Sequence, residues 1–259
     1  MSANVMTVAI QKGGAGKTTT CAALGYLLSQ HYSKVLLIDT DGQGNLTELL
    51  FQKPVSWWRQ SAKLGLYQAF NDDAIKPHIT SVTDTLHLVP GSDLMGLFSK
   101  FLYEKRNSRP MWSLHDLLAP VMSYYDWILI DTPPALGDVL VNSLVASRYV
   151  LCIYETGQFC YSALHAMLDT VKSVQTELNP DLSVIGILPT LLDARRVDNR
   201  DYIEMAREHY GPMVFENIIK RTASTARLAY LGIDGNPEIK KATEQFVPVL
   251  AEILERTHS

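Results

Sequence analysis

The chain has 259 residues, with 23 lysines and arginines against 27 acids, a formal net charge of -4, 47% hydrophobic residues and 19% charged ones. That balance is ordinary for a globular chain with a sizeable core, so bulk charge does not point to nucleic acid and any such contact must come from a local basic patch. No apolar run approaches the roughly 20 residues needed to span a bilayer. The three cysteines, Cys21, Cys152 and Cys160, lie in apolar runs without paired or metal-site spacing, which predicts buried free thiols in a reducing compartment.

In chain order, residues 5–10 read as a buried strand, close enough to the start that no secretion leader is expected. Residues 19–28 read as a helix. Between them lies Lys12-Gly13-Gly14-Ala15-Gly16-Lys17-Thr18-Thr19, a variant of the phosphate-loop pattern G-x-x-x-x-G-K-S/T. Gln11 stands where that pattern has its first glycine, and Lys12 is an added lysine. Gly13, Gly14 and Gly16 let backbone N–H groups turn inward around a polyphosphate, where a Cβ would block the approach. Lys17 brings a point charge to the β- and γ-phosphates, and the Thr18 hydroxyl is placed to ligate Mg²⁺. A glycine turn is the plain alternative. The order strand, loop, helix favours a nucleotide site, because it aims a helix N-terminus at the phosphates.

Residues 34–39 form a second strand that runs into Asp39-Thr40-Asp41-Gly42-Gln43-Gly44-Asn45. Carboxylates one residue apart point to different sides of the chain, so they serve different tasks. Asp41 is the better candidate to orient an attacking water, and Asp39 to support a Mg²⁺ shell. These residue types also favour turns, and spacing alone does not choose between the two readings. Residues 51–81, with Trp57-Trp58, show little periodicity and suggest a surface subregion without an assignable role. Strands follow at 86–90 and 127–131. The latter ends in Asp131 before Thr132-Pro133-Pro134, where a carboxylate can hold Mg²⁺ through water opposite Thr18 or, taken alone, cap a turn.

Strands at 149–153 and 184–188 complete the series. Leu164, Met167, Leu168, Val171 and Val174 have the spacing of a helix packed on a sheet. Near the end, Phe246, Val249, Leu250, Ile253 and Leu254 form an apolar stripe interrupted by Pro248 and flanked by Glu252 and Glu255, which predicts core packing. Continuous apolar strands alternating with helices imply an α/β fold: a mostly parallel twisted sheet covered on both faces, one P-loop domain over residues 1–259. Ligands bind at the carboxyl ends of such strands, where Asp39, Asp131 and the loop all fall.

The runs KGGAGKTTT, LLIDTDGQGNLT and WILIDTPPALG closely resemble the ParA family of partition ATPases, within the deviant-Walker class that also contains MinD. The resemblance continues through residues 140–144, 190–195 and 214–221 and is weakest over 51–81. The most specific element is DTDGQGN beside the family's D-x-D-P-Q-G-N. A short form without the N-terminal helix-turn-helix of longer plasmid proteins is expected.

The resemblance implies an ATP- and Mg²⁺-dependent sandwich dimer. The nucleotide would be held by Lys12, Gly13, Gly14, Ala15, Gly16, Lys17, Thr18 and Thr19. Lys12 would reach the partner's nucleotide, Asp41 would position the water, and Asp131 would hold Mg²⁺ through water, with Thr18 and Asp39 in support. The family's ATP dimer binds DNA non-specifically, and a partner of the ParB type stimulates hydrolysis and release. A cytoplasmic, nucleoid-associated protein with no membrane contact follows. DNA-binding arginines of the family map onto Arg195 and Arg221, with Arg196 and Lys220 beside them and Arg200 and Arg227 adding charge nearby; a solvated surface that includes Asp198, Asp201 and Glu204 is the plain alternative.

Departures from the family pattern are Ile10 for the usual Asn, Lys220-Arg221-Thr222 for Pro-Arg-Asn, Ser224 for the following arginine, and residues 160–166 for E-Y-Y-A-L-E-G. Two rivals share the loop. A MinD-like membrane ATPase would need a basic amphipathic C-terminal helix, and a reductase of the nitrogenase iron-protein type would need cluster-bridging cysteines. A third reading keeps the ATPase and makes the cargo a protein assembly.

Overall fold

The computed structural model describes residues 2–31, 34–105, 108–156, 158–190 and 198–258. Among these residues seven strands form one sheet in the order β3-β4-β2-β5-β1-β6-β7. They are β1 (Asn4–Ala9), β2 (Val35–Asp39), β3 (Thr80–Ser81), β4 (Leu86–Val89), β5 (Trp127–Asp131), β6 (Tyr149–Glu155) and β7 (Ser183–Thr190). All pairings are parallel except that of the two-residue edge strand β3 with β4. The strands expected from apolar runs are all present, with ends shifted by two residues at most.

Alternation along the strands sends side chains to two cores. Val35 and Leu37 of β2 and Trp127 and Leu129 of β5 face one side, with Leu24 and Leu28 of α1 (Lys17–His31). Leu36, Ile38, Ile128 and Ile130 face the other, with Phe70 of α4 (Leu66–Asp72) and Phe98 and Phe101 of α5 (Phe98–Lys105). Between β2 and α4 lie α2 (Asn45–Phe51) and the single turn α3 (Val55–Trp57). The second core is completed by α6 (Ser113–Leu118), and α7 (Asp138–Val145) leads from β5 into β6.

The predicted stripe of Leu164, Met167, Val171 and Val174 is buried on α8 (Gln158–Glu177), with Leu168 packed beside it. Beyond β7 come α9 (Asp198–Tyr210), α10 (Ala223–Leu231), α11 (Ile239–Thr243) and α12 (Val247–His258). Phe246 and, on α12, Val249, Leu250 and Ile253 are buried in the first core, as the interrupted stripe predicts. Among the described side chains Cys21 and Cys152 are buried free thiols; the Cys160 side chain lies outside them.

Strand register decides where the chemistry collects. Asp131 lies beside Asp39 across the β2–β5 pairing and beside Val8 across the β1–β5 pairing. The ends of three neighbouring strands therefore open at one level. Thr40 N and Oγ1 both donate to the Asp131 carbonyl at 3.0 and 2.6 Å, and Thr132 Oγ1 donates to Val8 O at 2.8 Å. These bonds tie the three loops into one rim.

Candidate functional site

The phosphate loop leaves β1 and enters α1. Gly14 and Gly16 hold positive φ values of 76° and 89°, a conformation that L side chains resist. A Cβ built on Gly13 or Gly14 meets no protein atom within 4 Å, so the space above the loop is open to a ligand. The loop is braced from three directions. Lys17 Nζ donates to the Lys12 carbonyl at 2.9 Å, Thr20 N to Gly16 O at 2.9 Å, and Thr190 Oγ1, at the end of β7, to Ala15 O at 2.7 Å. No acidic residue occupies the first turn of α1, which leaves the positive end of that helix to an anion.

Thr18 Oγ1 donates to Asp131 Oδ2 at 2.7 Å, while the other oxygen, Oδ1, is buried with no hydrogen-bond partner. Burial raises the Asp131 carboxyl to about 8; neighbouring Asp39 adds to the rise, and Thr18 and the Lys17 ammonium oppose it. Burial likewise pulls Lys17 below the usual lysine value, with Asp131 and Asp41 opposing. A buried acid with one orphaned oxygen beside a hydroxyl is suited to a hydrated divalent cation, which would restore the charged carboxylate. Thr18 and Asp131 are therefore brought together as the sequence leads one to expect.

Asp39 has a different surrounding. Its Oδ2 accepts from Thr47 N at 2.9 Å and Thr47 Oγ1 at 2.6 Å, and its Oδ1 accepts from Asp41 N at 3.2 Å. Thr47 Oγ1 in turn accepts from Gly91 N at 2.8 Å. Burial raises the Asp39 carboxyl to about 6 against these hydrogen bonds. Both oxygens are thus engaged in shaping the loop that carries Asp41. Three hydrogen bonds from its own chain give Asp39 a positioning role, alongside the expectation that it supports a Mg²⁺ shell.

Asp41 lines a cavity of about 660 Å³ together with Lys17, Thr18, Glu48, Pro134 and Tyr230. Its Oδ1 accepts from Gln43 N at 2.9 Å. Tyr230 stands over this cavity with 79% of its surface exposed. At the edge of the loop, Lys12 Nζ meets Glu155 Oε2, from the end of β6, at 2.7 Å.

A second cleft of about 260 Å³ opens on the other side of the loop, between Gly14, Gly16, Thr19 and Thr20 and the group Thr190, Ile219, Thr222, Thr225, Ala226 and Phe246. It is largely apolar, with hydroxyls at its margin, as a planar base requires. Sequence reading misses these residues because they come from three segments far from the loop in sequence. The one usable signal is Thr222, whose hydroxyl accepts from Thr225 N to cap α10.

Lys220 and Arg221 also line this cleft. They therefore stand beside the loop glycines Gly14 and Gly16. Arg227 is held by Glu238 through two bonds of 3.0 and 2.6 Å, so much of its charge is already answered. Arg195 and Arg196 lie outside the described residues.

Residues 3–184 match the family model described as an AAA domain. The chain is 34% identical over 232 residues to the chromosome-partitioning ATPase Soj of Treponema pallidum, covering 86% of this chain and 85% of that one. It is 30% identical over 260 residues to the chromosome partitioning protein ParA of Myxococcus xanthus, covering 97% and 88%. Among solved structures it superposes with a TM-score of 0.83 and 27% identity on cobyrinic acid a,c-diamide synthase from Mycobacterium smegmatis, with bound ADP and magnesium, covering 99% of this chain and 96% of that chain.

Proposed function

This chain belongs to the ParA/Soj family of ATPases, and on that footing we propose that it is a partition ATPase whose ATP-bound dimer holds DNA without sequence preference and lets go when a ParB-like partner stimulates hydrolysis. The protein is an ATPase that takes ATP and water to ADP and phosphate with Mg²⁺. The observation that carries the reading is the Thr18–Asp131 bond with its orphaned carboxylate oxygen, set beside Lys17 at the mouth of the glycine loop.

In this reading the loop N–H groups and Lys17 hold the β- and γ-phosphates, and the cleft at Thr222 and Phe246 receives the base. Thr18 and Asp131 hold Mg²⁺, which when bound neutralises charge on the phosphates. Asp41, on the far wall of the same cavity, accepts a hydrogen bond from the attacking water and aligns it with the γ-phosphorus. Asp39 fixes the backbone from which Asp41 projects. Lys12 sits outside the minimal phosphate pattern and serves the nucleotide of a second copy, which makes ATP part of the interface and hydrolysis its release. Tyr230 offers that second copy an exposed aromatic surface beside the cavity.

Against a membrane-bound alternative, α12 buries Val249, Leu250 and Ile253 in the core, while Val247 stays half exposed. Lys12→Ala is the test. With a non-hydrolysable ATP analogue, the variant is expected to bind nucleotide close to the wild-type affinity and to remain monomeric by light scattering. Normal dimerisation of Lys12→Ala overturns the assignment in trans. A wild-type dimer that ignores DNA redirects the reading to a protein cargo.

A further inference from the structure

We propose that Glu155 is a positioning residue for Lys12, holding its ammonium group in cis over its own phosphate loop and thereby setting how much ATP is needed before the chain self-associates. This rests on the reading of Lys12 as a residue that serves a second copy. The geometry is direct. Lys12 Nζ and Glu155 Oε2 are 2.7 Å apart, with side-chain exposures of 37% and 21%. Glu155 ends β6, the strand that runs parallel beside β1, so the carboxylate is delivered by the sheet itself and not by a wandering loop. On the inner side the Lys12 carbonyl accepts from Lys17 Nζ at 2.9 Å. One residue is therefore fixed by its backbone to the phosphate-binding lysine and by its side chain to Glu155.

A lysine held in this way is drawn toward its own carboxylate, and reaching another molecule's phosphate competes with that contact. The contact must therefore be weak enough to exchange. A half-exposed lysine–carboxylate pair is of that kind, screened by salt and worth only a small factor in an equilibrium. A γ-phosphate on the second copy, carrying more charge than one carboxylate, displaces Glu155; ADP offers no such group. Glu155 thus biases the chain against premature pairing and leaves the ATP-driven step intact.

The test compares wild type, Glu155→Gln and Lys12→Ala in titrations with a non-hydrolysable ATP analogue, reading dimer by light scattering and ADP affinity by calorimetry. Glu155→Gln preserves shape and removes charge. It is expected to lower the analogue concentration at half-dimerisation by about two- to fivefold, the range an exposed ion pair supports. ADP affinity should stay at the wild-type value, and Glu155→Asp should fall between. Raising salt should bring wild type toward Glu155→Gln and shift the variant less. Dimerisation of Glu155→Gln at the wild-type concentration, or only at a higher one, overturns the positioning role. Dimerisation of Lys12→Ala overturns instead the reading of Lys12 on which it stands, so the two failures are told apart.

Discussion

Asp131 and Asp41 both line up with the phosphate loop, yet their surroundings differ and so do their expected mutational effects. Asp131 is fully buried and keeps one oxygen without a partner, whereas Asp41 is at the cavity wall with Gln43 N on one oxygen. Asp131→Asn keeps the size and the acceptor for Thr18 but removes the charge that a cation needs. It should leave ATP stabilisation without Mg²⁺ unchanged, abolish the extra stabilisation Mg²⁺ brings, and slow hydrolysis by on the order of a hundredfold. Thermal melts with ATP, with and without Mg²⁺, check this; an unchanged Mg²⁺ increment would return Asp131 to a purely structural role. Asp41→Ala should still dimerise on ATP but hydrolyse on the order of a hundredfold more slowly, so the ATP dimer accumulates. Failure of that variant to bind ATP would make Asp41 a nucleotide ligand.

Helix ends explain what could be read from the sequence and what could not. Gly44 precedes α2 with φ of +64°, and a Cβ there would collide with Val55 Cγ1. Gly44→Ala should therefore destabilise the fold by about 1–3 kcal/mol in urea unfolding, and adding Val55→Ala should recover part of the loss, making the pair non-additive. Additive effects would show that the clash relaxes elsewhere.

The same neighbourhood marks the limit of legibility. The central strands announce themselves through unbroken runs such as Trp127-Ile128-Leu129-Ile130, because both faces of a parallel sheet are covered. Residues 51–81 do not, since their short helices stop at Gln52, Lys63 and Asp73, all in left-handed conformation with φ between 51° and 55°. Glycine ordinarily flags such stops, and no glycine stands at these three. The phosphate loop was legible as motif, while the second cleft was not, because segments far apart in the sequence assemble it.

For the molecule as a whole, the question is how occupancy at the strand ends reaches the surface that would hold DNA. Arg195→Ala with Arg221→Ala should weaken binding to unrelated duplexes equally and flatten the salt dependence by roughly one slope unit for each arginine–phosphate pairing removed. Because Arg221 lines the cleft beside the phosphate loop, anisotropy must be read at saturating ATP analogue with nucleotide affinity measured beside it. Unchanged DNA affinity in the double variant would place the DNA surface elsewhere. Thr190 gives this coupling a physical form. Its hydroxyl clips the phosphate loop through Ala15 O, its side chain lines the second cleft, and Arg195 and Arg196 follow soon after it in the sequence. A single residue thus braces the cradle and lines the cleft. A shift of the loop therefore bears on the end of β7, and Thr190→Val, which removes the hydroxyl's bond to Ala15 O, should loosen communication before it loosens the fold.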